Sequence, residues 1–121
     1  MEINSYKDLI VWQKSIELVV AVYELTEKYP KTEIFGLISQ MRRAAVSISS
    51  NIAEGKNRGT KKDYCCFVVR AFASGSELET QVIISKRLPF GKDIDYGKVD
   101  GLLSEVMRML NSLIKKLNVS D

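Results

Sequence analysis

The chain has 121 residues, 45% of them apolar and 27% charged, the proportions of one soluble domain that can bury its own core, which favours neither a disordered nor a membrane class. Its net charge of +3 permits contact with phosphates without demanding it, and repetition in a symmetric assembly would multiply that charge. Histidine is absent, so the usual neutral-pH acid-base group and the commonest metal ligand are missing, which weighs against an enzyme and against any cofactor or metal site.

The opening segment carries charges at Glu2, Lys7, Asp8 and Lys14 and lacks the unbroken apolar run of a signal peptide. No stretch approaches the roughly 20 apolar residues of a membrane helix, so a cytoplasmic protein with no membrane partner is expected. Ser5 and Asp8 have capping-box spacing and predict a first helix over 6–28. Leu9, Trp12, Ile16, Val19 and Tyr23 recur at steps of three and four along it, one apolar stripe, and Pro30 ends the pattern. Thr32 and Glu33 predict the cap and first turn of a second helix over 33–56.

That second helix is the unusual one. Between Arg43 and Glu54 it carries no charge: Ala44, Ala45, Ile48 and Ile52 continue a core stripe, while Val46, Ser47, Ser49, Ser50 and Ala53 fill the other faces with small or apolar groups. An ordinary surface helix shows a polar face, so this one is expected to be covered on more than one side, by neighbouring helices and by further copies of the chain. Gly55 and Gly59 predict its end in left-handed geometry, within a strongly basic segment of Lys56, Arg58, Lys61 and Lys62.

Thr60 and Asp63 repeat the capping-box spacing, so a third helix, over 61–88, should run back beside the second. Tyr64, Phe67, Val68, Ala71, Phe72, Gly75, Leu78 and Val82 form its stripe, and Gly75 predicts close approach to the second helix. Cys65 and Cys66 are neighbours on a helix, about 100° apart and unable to bridge easily, and are read as reduced, buried thiols. After Pro89 and Gly91, Asp93 or Asp95 can cap a fourth helix over 96–117, whose seam runs Val99, Leu103, Val106, Leu110, Leu113 and Leu117. Lys115 and Lys116 close it. Four amphipathic helices joined by short turns predict an all-α, antiparallel up-down-up-down bundle in one domain.

The basic segment is the candidate phosphate-binding site, aided by the free amides that open the third helix; the alternative is solvated cations complementing the dipole of the second. Arg42 and Arg43 either contact nucleic acid or pair with carboxylates such as Glu77 and Glu79 of the third helix, and pairing is expected for at least one of them. Glu54, Glu77 and Glu79 read as structural partners, since no nucleophile, histidine or phosphate loop accompanies them. Trp12, Tyr23, Tyr64, Phe67 and Phe72 are expected in the core, with Tyr6, Tyr29 and Phe35 partly exposed near helix ends.

Three segments in order, LIVWQKSIELV at 9–19, SQMRRAAVSISSNIAEG at 39–55 and SGSELETQ at 74–81, resemble the four-helix-bundle family known from 23S rRNA intervening sequences. The resemblance implies a left-handed bundle assembled as a ring of five, which would supply the extra cover for the second helix. It also implies kinship to the accessory variability determinant of diversity-generating retroelements, a basic barrel that partners a reverse transcriptase and nucleic acid. Two departures stand out: Ser49 where the family often has proline, and Pro89, Phe90 and Gly91 where it usually has glycine, an aromatic and leucine. The expectation is therefore a non-enzymatic homo-oligomer that binds structured RNA or another nucleic acid through Arg42, Arg43, Lys56, Arg58, Lys61 and Lys62. The alternative is a scaffold ring with a polypeptide partner.

Overall fold

Periodic apolar residues separated by short polar breaks fold here into four long helices, α1 (Ile10–Thr26), α2 (Ser39–Lys56), α3 (Lys61–Arg87) and α4 (Gly97–Val119). The computed structural model describes residues 5–119, and among these there is no strand. Glu2, one of the charges read against a signal peptide, lies outside the described residues. No helix among the described residues is long and apolar enough to cross a membrane.

The first helix starts later than its cap suggests. Ser5 accepts from the Lys7 amide at 3.2 Å and caps only a single 3-10 turn, Tyr6–Asp8, before α1 begins at Ile10. Its buried face is Val11, Ser15, Leu18, Val22 and Leu25, one residue away from the expected stripe and therefore rotated by about 100°. Ile16 and Tyr23 are left 37% and 42% exposed. Apolar residues are contiguous over Ile10–Trp12 and again over Leu18–Tyr23, so two adjacent stripes satisfy the same period. Tyr29, expected near the surface, is buried and meets Phe90 edge-on at 4.9 Å between ring centroids.

Thr32 does not cap the second helix. Lys31–Glu33 forms a 3-10 turn and Ile34–Ile38 a wide π-helical turn broken at Gly36, where φ is −108° and ψ −115°. The Glu33 carboxylate accepts from the Leu37 amide at 3.3 Å, and α2 proper begins only at Ser39. It then runs unbroken through Ser49, whose hydroxyl pairs with that of Ser15 at 2.8 Å in the core.

Successive helices pack on one another, and α4 closes back on α1. Between α1 and α2 the contacts are Ser15 to Ser49 and Thr26 to Arg42. Between α2 and α3, Ser47 meets Ser74 at 2.9 Å and Ser85 donates to the Met41 sulfur at 3.7 Å. Lys86 reaches Asp100 at 2.7 Å from α3 to α4, and Lys14 reaches Glu105 at 3.6 Å from α1 to α4. Leu18, Met41, Ile48, Ile52, Leu78 and Leu110 are fully buried at the centre, each contributing about 1.5–3 kcal/mol of burial. On α4, Val99, Leu103, Val106 and Leu110 are buried as the seam predicts, while Leu113 and Leu117 are half-buried.

Gly75 answers a different neighbour from the expected one. A Cβ there would collide with the sulfur of Met107 on α4, so the glycine makes room for α4 rather than α2. The close approach of α2 to α3 is at Gly55 instead, where a Cβ would lie 2.7 Å from Phe67 Cβ and 3.3 Å from the Tyr64 carbonyl oxygen. Asp95 caps α4, accepting from the Gly97 amide at 2.8 Å.

Candidate nucleic-acid interface

The basic segment sits where α2 hands over to α3 through residues 57–60. Asn57 closes α2 with its amide on the Ala53 carbonyl at 3.2 Å, and Arg58 follows on Gly55 at 3.1 Å. No described glycine adopts positive φ, so the expected left-handed glycine cap is absent; an ordinary right-handed turn suffices because the next helix begins at once. Thr60 caps α3, its hydroxyl accepting from the Asp63 amide at 3.1 Å. Buried Gly55 lets the first two turns of α3 fold back against α2, which holds four cations on one short corner.

Aromatic rings carry two of those cations. The Lys56 ammonium lies 5.7 Å from the centroid of Tyr64, and the Arg58 guanidinium 4.7 Å from that of Phe67, where Arg70 also rests at 4.7 Å. Desolvation by burial raises the pKa of the Tyr64 phenol, keeping that ring neutral beneath Lys56. Arg58 also reaches the Glu54 carboxylate at 3.3 Å, both ends exposed, so the pair neutralises part of its charge without immobilising it strongly. Tyr64 and Phe67 are half-buried beneath the cations, placed to orient positive charge rather than to stack on bases.

Lys61 and Lys62 are exposed and line an open notch of about 660 Å³ with Cys65, Cys66, Val69, Arg70, Leu117 and Asn118. The two cysteines are free but not buried: Cys66 is exposed and Cys65 is half-buried, its thiol 3.3 Å from the Asn118 side-chain oxygen. The apolar stripe of α3 turns inward at Tyr64 and Val68, leaving both thiols at its edge. Arg70 went unnoticed in the sequence, although it follows Lys62 by eight residues and such positions share a helix face. Asn118 was not legible at all, since it arrives from the far end of the chain.

The two mid-chain arginines belong elsewhere. Arg42 precedes Lys56 by 14 residues of one helix, an axial separation of about 21 Å, so the six candidate cations form two groups. Arg42 is tied to α1: its Nε donates to Thr26 Oγ1 at 2.9 Å, a terminal nitrogen donates to the Tyr23 carbonyl at 3.4 Å, and the guanidinium lies 4.3 Å over the Tyr23 ring. Its carboxylate neighbour is Glu27 at 3.9 Å. The expected pairing with Glu77 or Glu79 is therefore replaced by one across the α1–α2 groove, because Arg42 points to the α1 side of α2. Arg43 is exposed and, among the described residues, makes no ion pair. Both border a second notch of about 530 Å³ with Tyr23, Ile34, Ile38 and Val46. Phe35, next in sequence to Ile34, stands 93% exposed, well beyond the partial exposure expected of an aromatic near a helix end.

Among the described residues no cluster of three histidine, cysteine, aspartate or glutamate side chains could hold a metal ion. Compared with models of known families, residues 7–112 match the one described as 23S rRNA-intervening sequence protein. Comparison with curated proteins gives no match.

Proposed function

Because the chain belongs to the 23S rRNA-intervening sequence protein family, we propose that it is a cytoplasmic, non-enzymatic homo-oligomer, a ring of five by family resemblance, that binds structured RNA or a similar nucleic acid. The observation that carries this reading is the corner of Lys56, Arg58, Lys61 and Lys62, with Arg70 alongside. Ring-supported cations and exposed lysines suit a phosphate backbone, which is recognised by charge and shape. Arg42 is a structural tie in this reading, and Arg43 is a separate, distal contact. The finer architecture proposed is antiparallel, up-down-up-down and left-handed. Its strand of support for direction is that helix partners fall in opposite order, Phe67 against Gly55 but Ser85 against Met41.

Affinity for a folded RNA hairpin should fall with salt by about 0.7–0.9 in log K per log salt for each phosphate neutralised. Replacing Lys56, Arg58, Lys61 and Lys62 together by glutamine should abolish that binding while the oligomer persists. Unchanged affinity in the variant would remove the reading. A polypeptide partner, such as a reverse transcriptase, is the second reading, favoured by exposed Phe35 and Ile34; such a partner should stay bound after nuclease treatment, and an RNA-bridged one should not.

A further inference from the structure

The open notch of about 660 Å³ beside the basic corner is walled by α3 and the end of α4, and it holds Cys65 and Cys66. The two sulfurs are not equivalent. The Cys65 thiol is half-buried and donates to the Asn118 side-chain oxygen at 3.3 Å, whereas Cys66 is exposed, so a dissolved reagent meets Cys66 first. Helical spacing sets Lys62 one turn before Cys66 and Arg70 one turn after it, all on one face, and all three line the notch. Both cations are exposed and, among the described residues, neither makes an ion pair. Arg70 rests instead on the Phe67 ring, which leaves its charge uncompensated. Asp63, three residues before Cys66, is the carboxylate nearest by helical spacing, and it is not among the described residues that line the notch. A thiol between two such cations meets dissolved anions at raised local concentration.

We infer that Cys66 is a modification site for small disulfides that carry carboxylates, with glutathione disulfide as the pattern. The Cys66 thiolate attacks one sulfur of the reagent, whose S–S bond breaks as a new one forms to the protein. The other half departs as a thiolate and takes up the proton that Cys66 released. Cys66 is oxidised and the departing half reduced, so no further oxidant is needed. Cys65 does not readily displace the adduct, because adjacent Cα atoms stand about 3.8 Å apart, below the roughly 4.4–6.8 Å that disulfides span. The adduct therefore persists until an external thiol removes it. Carboxylates held there offset Lys62 and Arg70, so a corner that binds phosphate when reduced releases it when modified. That last consequence rests on the RNA-binding reading, and the chemistry at Cys66 stands apart from it.

Two chromogenic disulfides test the chemistry, dianionic dithiobis(nitrobenzoate) and neutral dithiodipyridine, each rate being divided by that of an uncharged small thiol. The protein should prefer the dianion by about tenfold at low salt, and the preference should fade towards 1 M salt, where the Debye length is about 3 Å. Lys62→Gln combined with Arg70→Gln should remove the preference, Cys66→Ser should abolish the fast adduct, and Cys65→Ser should keep it. A wild type without preference, or a fast adduct that survives Cys66→Ser, would overturn the inference. For the consequence, the glutathione adduct should bind a folded RNA hairpin at least about tenfold more weakly, with recovery in dithiothreitol. The cysteamine adduct, which adds a cation at the same sulfur, should not weaken it. Equal loss with both adducts would refute control by charge. Unmodified protein that binds no hairpin would remove the RNA reading itself, while the rate ratio still decides the role of Cys66.

Discussion

Replacing Gly55 by alanine sets two effects of known size against each other. Alanine in a helix is favoured over glycine by about 1 kcal/mol. The new Cβ, however, would stand 2.7 Å from Phe67 Cβ, 3.2 Å from Tyr64 Cδ1 and 3.3 Å from the Tyr64 carbonyl oxygen. Phe67 Cβ moves only with the α3 backbone, so relief requires the two helices to part rather than a side chain to turn, and overpacking of that kind costs about 1–3 kcal/mol. Sterics should win, leaving a net loss of up to about 2 kcal/mol. Gly101 is the matched control: it is exposed on α4 with nothing within 4 Å of its missing Cβ, so Gly101→Ala should gain about 0.5–1 kcal/mol. Urea denaturation of the two variants should move the midpoint in opposite directions. A Gly55→Ala protein as stable as Gly101→Ala would show that α2 and α3 are not locked at this point.

Arg42→Leu should lose about 1–2 kcal/mol, since it removes charge-assisted hydrogen bonds from Thr26 and Tyr23, whereas Arg43→Gln should stay within about 0.5 kcal/mol; denaturation midpoints separate the two. Tyr29 offers a pH test. Desolvation by burial raises its folded-state pKa above the ordinary value of 10.0, so its contribution is complete below about pH 10 and is lost as pH climbs further, because the unfolded chain ionises first. Ser85 and Tyr96 lie near enough to influence that ionisation, yet the hydroxyl has no hydrogen-bond partner. Tyr29→Phe should therefore be at least as stable at pH 7 and should lose less of its guanidinium midpoint above pH 10; a strongly destabilised variant at pH 7 would mean the hydroxyl is satisfied after all.

Helix count, the cap at Thr60 and the α4 seam were legible because each is a local pattern with one solution. Helix 1 was not: Val11 and Trp12 are neighbours, both apolar, and only the position of α2 decides which stripe turns inward. The start of α2 failed for a different reason, since Glu33 supplies a side-chain cap to a turn wider than an α-helix, and composition does not reveal turn width. The basic corner was visible as a run of charges, but its rings and Arg70 are brought together by α3 folding over Gly55. Arg42 and Arg43, adjacent to the uncharged stretch in sequence, were separated from that corner by nothing more than helical rise.

The hydroxyl pairs that line α2 settle a question its small residues leave open. A surface of alanine, glycine and serine is nearly smooth, so sliding it past a neighbour by one turn, about 5.4 Å, exchanges one set of slight contacts for another. Ser49 on Ser15 and Ser47 on Ser74 match at a single offset, and any other would forfeit these inter-helix pairs at about 0.5–1.5 kcal/mol each. The polar atoms act as a vernier: they add little to the depth of the energy minimum but select which of several near-equal alignments is occupied.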